Sequence, residues 1–272
     1  MVKKMEEEIN SVIVRYGEIG TKGKNRGYFE KRLIRNIKDC LSKNNIKFSK
    51  IQRYSGRIII FTSDKCLPLK YVFGITSFSP AIKAELDLEK IKNIALKLYE
   101  KGTFRISAKR LNQKFNYSSE QLNKEIGNFI RETKKAKVNL NNPESNIGIE
   151  IMNYAYLFNI RYEALGGLPV HSEGLVTLIL DSEKSLLAGI LMLKRGCSLE
   201  IIKEKDIDHK ILEKYSYGSK INIVNKPSQE SKAIVKVEDL KDLKSKLYNL
   251  PVFNPLIGNE KGLYKELWLH LF

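Results

Sequence analysis

The spacing of apolar residues changes several times along the chain, and each change marks an element. Val12-Ile13-Val14 is a continuous apolar run of the kind that fills a buried strand. After a Gly-rich stretch, Phe29, Leu33, Ile34, Ile37 and Leu41 recur every three or four residues, which predicts a helix with one apolar face. Residues 46–53 and 57–62 are strand-like runs on either side of Tyr54-Ser55-Gly56, a hairpin turn. A short helix is expected over 67–73, stopped by Gly74. This β-α-β-β order predicts a small ferredoxin-like unit over residues 1–75.

A second unit is expected over 76–165. It opens with a strand over 76–84 and a helix over 86–99, and a strand with alternating polarity covers 103–108. Ser118 followed three residues later by Gln121 is a capping-box pattern and predicts a helix over 120–131. Val138-Asn139-Leu140 reads as a short strand, Asn141-Asn142-Pro143 as a turn, and 147–151 with 154–160 as a hairpin about Asn153. Residues 166–174 read as a linker, with Gly166-Gly167 for freedom and Pro169 for stiffness. Beyond it, 175–272 begins with a buried strand over 175–180, a helix over 185–194 and a strand over 197–202. A last helix is expected over 260–270.

Charge narrows the function classes. The 272 residues carry a net +17, which attracts a polyanion. The excess is graded: 17 basic against 7 acidic side chains over 1–75, 15 against 10 over 76–165, and 16 against 14 over 166–272. A general lysine bias would spread evenly, so a nucleic-acid partner is expected at the N-terminal end. No basic amphipathic helix carries a bulky apolar face and no run of eighteen apolar residues occurs, so neither a membrane partner nor a membrane span is expected. The charged N-terminus lacks the apolar core of a secretory signal, and Cys40, Cys66 and Cys197 form no paired motif. A cytoplasmic setting is expected. His171, His209 and His270 are isolated, and no metal site is expected.

Two stretches carry candidate chemistry. The loop from Gly17 to Gly27 holds Lys22, Lys24 and Arg26, with Arg15 just before it. It is not a Walker A loop, because Gly23-Lys24 is followed by Asn25 and Glu18 stands where the first glycine is needed. Two readings remain open: a loop that holds a sugar–phosphate backbone with amides and cations, or a solvated basic turn. Lys109, Arg110 and Lys114 follow the strand over 103–108, with Phe115 and Tyr117 among them. Cations interleaved with aromatics suit a single-stranded RNA end, and equally an ordinary loop surface.

The residues Val14-Arg15-Tyr16-Gly17-Glu18 and Thr21-Lys22-Gly23-Lys24-Asn25-Arg26 resemble the opening signature of the tRNA 4-thiouridine synthetases, or tRNA sulfurtransferases. Val72-Phe73-Gly74-Ile75 is similar to the junction that closes their N-terminal domain. Phe104-Arg105-Ile106-Ser107 with Lys109-Arg110, Asn142-Pro143-Glu144 and Gly166-Gly167-Leu168-Pro169-Val170 resemble their THUMP domain and its exit. Leu193-Lys194-Arg195-Gly196 and Pro251-Val252-Phe253-Asn254-Pro255-Leu256-Ile257 match landmarks of their catalytic domain. The resemblance is dense over 1–175 and sparse but collinear afterwards. It implies two N-terminal domains that grip the acceptor end of tRNA. It also implies a PP-loop domain that binds ATP and adenylates the uridine at position 8, after which a cysteine persulfide supplies sulfur.

The chain departs from that pattern where the ATP loop belongs. The family's S-G-G-x-D-S aligns with Leu180-Asp181-Ser182-Glu183-Lys184-Ser185, counted back from Lys194-Arg195-Gly196. Both glycines, which let a backbone approach a pyrophosphate, are replaced. Asp181 adds a like charge whose repulsion is roughly 4 kcal/mol at 4 Å and an effective dielectric of 20. Cys197 opens a short apolar run and reads as a core residue rather than a persulfide carrier. The chain stops soon after Ile257, where some family members continue to a sulfur-carrying cysteine, and the fifty or so residues between Ile202 and Leu250-Pro251 leave little room for the rest of a nucleotide-binding sheet. The expected fold is therefore α/β (α+β): a ferredoxin-like domain, a THUMP domain, and a truncated PP-loop remnant of the adenine nucleotide alpha hydrolase kind. The expected function is binding of the tRNA acceptor end, with RNA contacts from Arg15, Lys22, Lys24, Arg26, Lys109, Arg110 and Lys114. No catalytic residue and no cofactor are expected, and the tRNA is presented to a separate modifying enzyme. The alternatives are an active sulfurtransferase using ATP and magnesium, and a scaffold protein; a homodimer is expected in each case.

Overall fold

The computed structural model describes residues 9–113, 115–238 and 249–257. Along the chain it holds β1 (Ser11–Arg15), α1 (Arg26–Lys43), β2 (Lys50–Tyr54), β3 (Arg57–Phe61), β4 (Ser77–Ala84), α2 (Leu88–Leu98), β5 (Phe104–Arg110), α3 (Ser119–Lys134), β6 (Ser145–Ile151), β7 (Ala155–Phe158) and β8 (Tyr162–Glu163). After these come β9 (Leu175–Leu180), α4 (Glu183–Lys194), β10 (Ser198–Lys203), α5 (Lys210–Glu213), β11 (Asn222–Ile223), β12 (Ser231–Val235) and β13 (Val252–Phe253). Two compact units emerge. Of the described residues, one unit contains those from 9 to Tyr16, Asn44–Lys70 and Thr76–Glu163; the other contains Gly17–Lys43, Tyr71–Ile75 and those from Ala164 onward.

The first unit is built on one eight-stranded sheet in the order β2-β3-β1-β4-β7-β6-β5, with β8 paired to β4. Only β5 and β6 run parallel. The expected boundary at residues 75/76 falls just before β4, a strand that pairs with β1 on one side and β7 on the other. In the β5–β7 half, Phe104, Ile106, Ile147, Ile149 and Leu157 pack against Ile91 and Ala95 of α2 and Leu122, Ile126 and Ile130 of α3. Alternation along these strands puts their polar residues on the opposite face.

Local chemistry fixes the helix starts. The Ser118 hydroxyl accepts from the Gln121 N–H, and the Gln121 side chain accepts from the Ser118 N–H, so two orphan amides of α3 are satisfied reciprocally. Asp87 caps α2 in a simpler way, accepting from the Lys90 N–H at 2.8 Å. Two expected elements came out differently. The helix expected over 67–73 is a 3-10 turn over Leu67–Tyr71, where Pro68 has no N–H to continue a ladder. The strand at 138–140 shrinks to a single bridge between Val138 and Phe104. There the Asn139 carboxamide accepts from the amides of Asn141 and Asn142 and donates to the Asn142 carbonyl, so a side chain takes over bonds a strand would make.

The second unit contains a fully parallel five-stranded sheet in the order β11-β10-β9-β12-β13. In chain order this is 3-2-1-4-5, a doubly wound arrangement whose direction reverses between β9 and β12. β9 is almost wholly apolar, as a strand covered on both faces requires. Val176, Leu178, Leu180, Leu199 and Ile201 pack on Leu186, Leu187, Ile190 and Leu193 of α4. The expectation of too little room after Ile202 is corrected: three further strands form there, although β11 and β13 have two residues each. The segment expected as a linker is packed. Leu168 is 2% and Val170 1% exposed, and Gly167, at φ +77°, lies so close to the Lys194 carbonyl that a side chain would collide with it. The helix expected over 260–270, with His270, lies outside the described residues.

Candidate nucleic-acid interface

The polar face of the β5–β7 half carries a cleft of about 490 Å³, lined by Arg15, Arg57, Arg105, Ser107, Lys109, Asn146, Gly148, Glu150, Phe158 and Arg161, among others. Period-2 geometry assembles it. Arg105, Ser107 and Lys109 point the same way along β5, and their parallel register places Asn146, Gly148 and Glu150 of β6 beside them. Gly148 is in turn opposite Phe158 on β7. Five cations and one carboxylate thus line one concavity.

The carboxylate is internal support. Glu150 is 4% exposed and receives Arg15 Nε on Oε1 at 2.8 Å and Arg57 Nε on Oε2 at 2.5 Å. Arg15 and Arg57 are antiparallel partners on β1 and β3, so one register delivers both guanidiniums. Arg15 also donates to the Ser79 hydroxyl at 3.1 Å and stacks 4.8 Å from the centre of the Phe158 ring. Burial by itself would raise the Glu150 carboxyl; the Arg15 charge and the Arg57 hydrogen bond and charge outweigh it and hold the group below the usual carboxylate range. Burial also draws Arg15 below the ordinary arginine value, against the pull of Glu150. Arg15, 6% exposed, therefore organises the cleft wall from within.

Lys109 and Arg110 are adjacent in sequence and opposed in space. Lys109 is exposed and lines the cleft. Arg110 points to the helix side, where its guanidinium donates to the Phe115 carbonyl at 3.2 Å and its N–H donates to the Ser119 hydroxyl. For RNA bound in this cleft, Lys109→Ala should therefore weaken binding and leave the melting temperature unchanged, whereas Arg110→Ala should leave affinity within about twofold. Equal losses of affinity in the two variants, measured by fluorescence anisotropy on labelled RNA, would place both side chains on one surface and contradict this geometry. Lys114 lies outside the described residues.

The other expected cations belong to the second unit. The loop after β1 folds into two 3-10 turns, Glu18–Thr21 and Gly23–Asn25, that run straight into α1. Lys24 is exposed at its tip. Lys22 lies 4.7 Å from the centre of the Phe29 ring and 4.0 Å from Glu173, and Arg26 donates to Glu30 one turn on at 2.8 Å. Lys31, Arg35 and Lys38 extend the positive charge along the exposed face of α1. His171 senses it: burial and the charges of Arg32 and Arg35 hold its imidazole below the ordinary histidine value.

At the switch point of the parallel sheet, Leu180-Asp181-Ser182 leads from β9 into α4. Asp181 Oδ1 accepts from the Ser185 hydroxyl at 2.7 Å and from the Ser182 hydroxyl at 3.1 Å, and the Ser185 N–H bonds the Ser182 carbonyl. A carboxylate thus sits at the helix N-terminus, where the helix dipole favours an anion. The turn has no glycine, and the two hydroxyls that could serve a phosphate already serve Asp181. Cys197 is 8% exposed, and burial pushes its thiol up; burial does the same to Cys40, to about 12. Neither is a ready thiolate. Among the described residues no cluster of His, Cys, Asp or Glu could hold a metal ion, and no helix is long and apolar enough to cross a membrane.

Sequence reasoning missed Arg57, Arg105, Arg161 and Glu150. For Arg105 a signal existed: the alternation Phe104-Arg105-Ile106-Ser107-Ala108-Lys109 already assigns it to the face of Lys109. For Glu150 and Arg57 none did, because their partners lie on distant strands.

Comparison with known proteins adds the following. The family model for the ThiI ferredoxin-like domain matches residues 11–79, and that for the THUMP domain matches residues 87–158. A probable tRNA sulfurtransferase of Thermococcus kodakarensis is 37% identical over 258 residues, covering 85% of this chain and 67% of the relative. Another, of Mycoplasmopsis agalactiae, is 37% identical over 240 residues, covering 86% of this chain and 57% of its own length. With a third at 50%, the chain spans between half and two-thirds of the length of these curated relatives. Among solved structures, PH1313 from Pyrococcus horikoshii superposes with a TM-score of 0.86 at 33% identity, over 96% of this chain and 99% of that one. A 4-thiouridine synthetase in complex with RNA and ATP superposes with a TM-score of 0.78 at 26% identity, over 97% of this chain and 85% of that one.

Proposed function

This chain belongs to the tRNA 4-thiouridine synthetase (tRNA sulfurtransferase) family, and from that premise we propose that it binds the acceptor end of tRNA without adenylating it, presenting the RNA to a separate modifying enzyme. RNA binding is supported by the cationic cleft of the first unit, by the basic loop and helix α1 of the second, and by the RNA-bound relative of similar fold. The observation that carries the second half is Asp181, whose carboxylate engages Ser182 and Ser185 at the start of α4. A polyphosphate approaching that helix end meets a negative charge and two hydroxyls already given to Asp181.

An active sulfurtransferase that makes 4-thiouridine at position 8 is the competing reading. It is favoured by the names of the relatives and by the five-stranded sheet with its switch point, the usual place for a nucleotide in such folds. The two part company in one assay: AMP release from ATP and magnesium by the purified protein, with and without unmodified tRNA. The expected result is no tRNA-dependent AMP on a sample that binds tRNA. Release that requires tRNA would make the protein an enzyme and overturn the adaptor reading.

A further inference from the structure

We propose that His171, with Arg32 and Arg35 of α1, forms a site for a backbone phosphate of RNA that takes up a proton as the RNA binds, so that affinity for tRNA rises as the pH falls. This rests on the proposed tRNA binding and adds to it a ligand group and a regulation. The way α1 lies along residues 170–172 places the site. Tyr28, Arg32 and Asn36 follow one another at four-residue spacing and share a face of α1. At one end of that row the Tyr28 hydroxyl donates to the Ser172 carbonyl at 3.3 Å; at the other the buried Asn36 Nδ2 donates to the Val170 carbonyl at 3.1 Å. Arg32 stands between these two anchors on the helix, as His171 stands between Val170 and Ser172, and Arg35 comes just before Asn36. Arg32 Nε is buried with no hydrogen-bond partner, and neither guanidinium forms an ion pair among the described residues. His171 is held at φ +65°, a left-handed conformation that suits glycine better than histidine, and strain kept in this way points to a use for the side chain. Its Nδ1 lies 2.8 Å from the Ser198 hydroxyl, which orients the ring and leaves Nε2 without a hydrogen-bond partner among the described residues. Desolvation of the ring, then the Arg32 and Arg35 charges, favour the neutral imidazole in the free protein, against the pull of Glu230. A phosphate bound by the two guanidiniums cancels that repulsion. The ring then takes a proton from solvent. Nδ1–H donates to Ser198, and Nε2–H is free to donate to a phosphate oxygen, a charge-assisted bond beside those from arginine.

The test uses the full chain with isotope-labelled histidines and follows the His171 ring by NMR, its signal being the one lost in His171→Gly. The signal should titrate below the ordinary histidine value in the free protein and at higher pH with unmodified tRNA bound. Affinity for tRNA, measured by fluorescence anisotropy at constant salt between about pH 8 and 5.5, should rise by up to about tenfold per pH unit, the limit for one linked proton. It levels off below the free titration value, where the ring is charged before RNA arrives. His171→Gly should lose this rise. Glycine suits the left-handed backbone, so its melting temperature should be no lower than that of wild type. Arg32→Gln should move the free titration up, because a repelling charge is gone, and should weaken tRNA binding; a packing role alone would not move the titration. Inorganic phosphate is the control for the source of the anion. A shift of the His171 signal with phosphate and none with tRNA overturns RNA as the ligand. A titration unchanged by tRNA, or the same pH dependence of affinity in wild type and His171→Gly, overturns the site and leaves tRNA binding standing. A wild type that binds no tRNA anywhere in this range overturns both.

Discussion

Replacing Glu150 with alanine should destabilise the first unit by about 3–5 kcal/mol, the usual cost of removing one partner from a buried ion pair. The size comes from what is left behind. Arg15 is 6% exposed, and with Glu150 gone its guanidinium keeps only the Ser79 hydroxyl among the bonds described above, while Arg57 loses both contacts to the carboxylate. An arginine cannot escape by losing its proton at ordinary pH. The melting temperature, followed by far-UV circular dichroism, should fall by roughly 6–20 °C for a unit of this size. Glu150→Gln, which keeps the shape and loses the charge, should fall between. A melt within a degree of wild type for Glu150→Ala would show that the pair contributes nothing. The pH dependence has a defined sign. The folded carboxyl is held below its unfolded value, so its contribution is fully present above about pH 4.3, the ordinary glutamate value, and is lost as the pH falls through the lowered folded value. Wild type should therefore lose stability in that acid range more steeply than Glu150→Ala.

Affinity for tRNA should fall about 10³-fold between 50 and 200 mM monovalent salt if the protein neutralises about six phosphates. The candidates for those contacts are Lys109, Arg105 and Arg161 on the first unit and Lys22, Lys24, Lys31 and Arg35 on the second. The chain's excess of 17 positive charges makes such a phosphate-driven mode the natural one. Each exposed contact removed should reduce the slope of log affinity against log salt by about one, so Lys109→Ala and Lys24→Ala are separate tests. Arg15→Ala differs in kind: it should reduce stability through Glu150, because its guanidinium is buried against that carboxylate inside the wall. A slope near zero for wild type would remove the electrostatic account of binding altogether.

The sequence by itself determined whatever depends on near neighbours. The capping box at Ser118 and Gln121, the alternation of β5, the apolar run of β9 and the helical spacing from Phe29 to Leu41 all act within a few residues, and each produced the expected element. That residues 180–185 hold no glycine was legible too, since glycine content is a property of the sequence itself. Only the tertiary structure decided which charges are available. Glu150 gives no local sign of its role, yet strand register brings it to Arg15, 135 residues away, and Arg57, 93 residues away, and gives both guanidiniums a buried partner. Register likewise sent Lys109 into the cleft and Arg110 against the Phe115 carbonyl, and set Gly148 under Phe158. The physical reason is that side-chain direction along a strand follows from local alternation, whereas the partner a side chain meets depends on pairing between strands remote in sequence, which no short window contains.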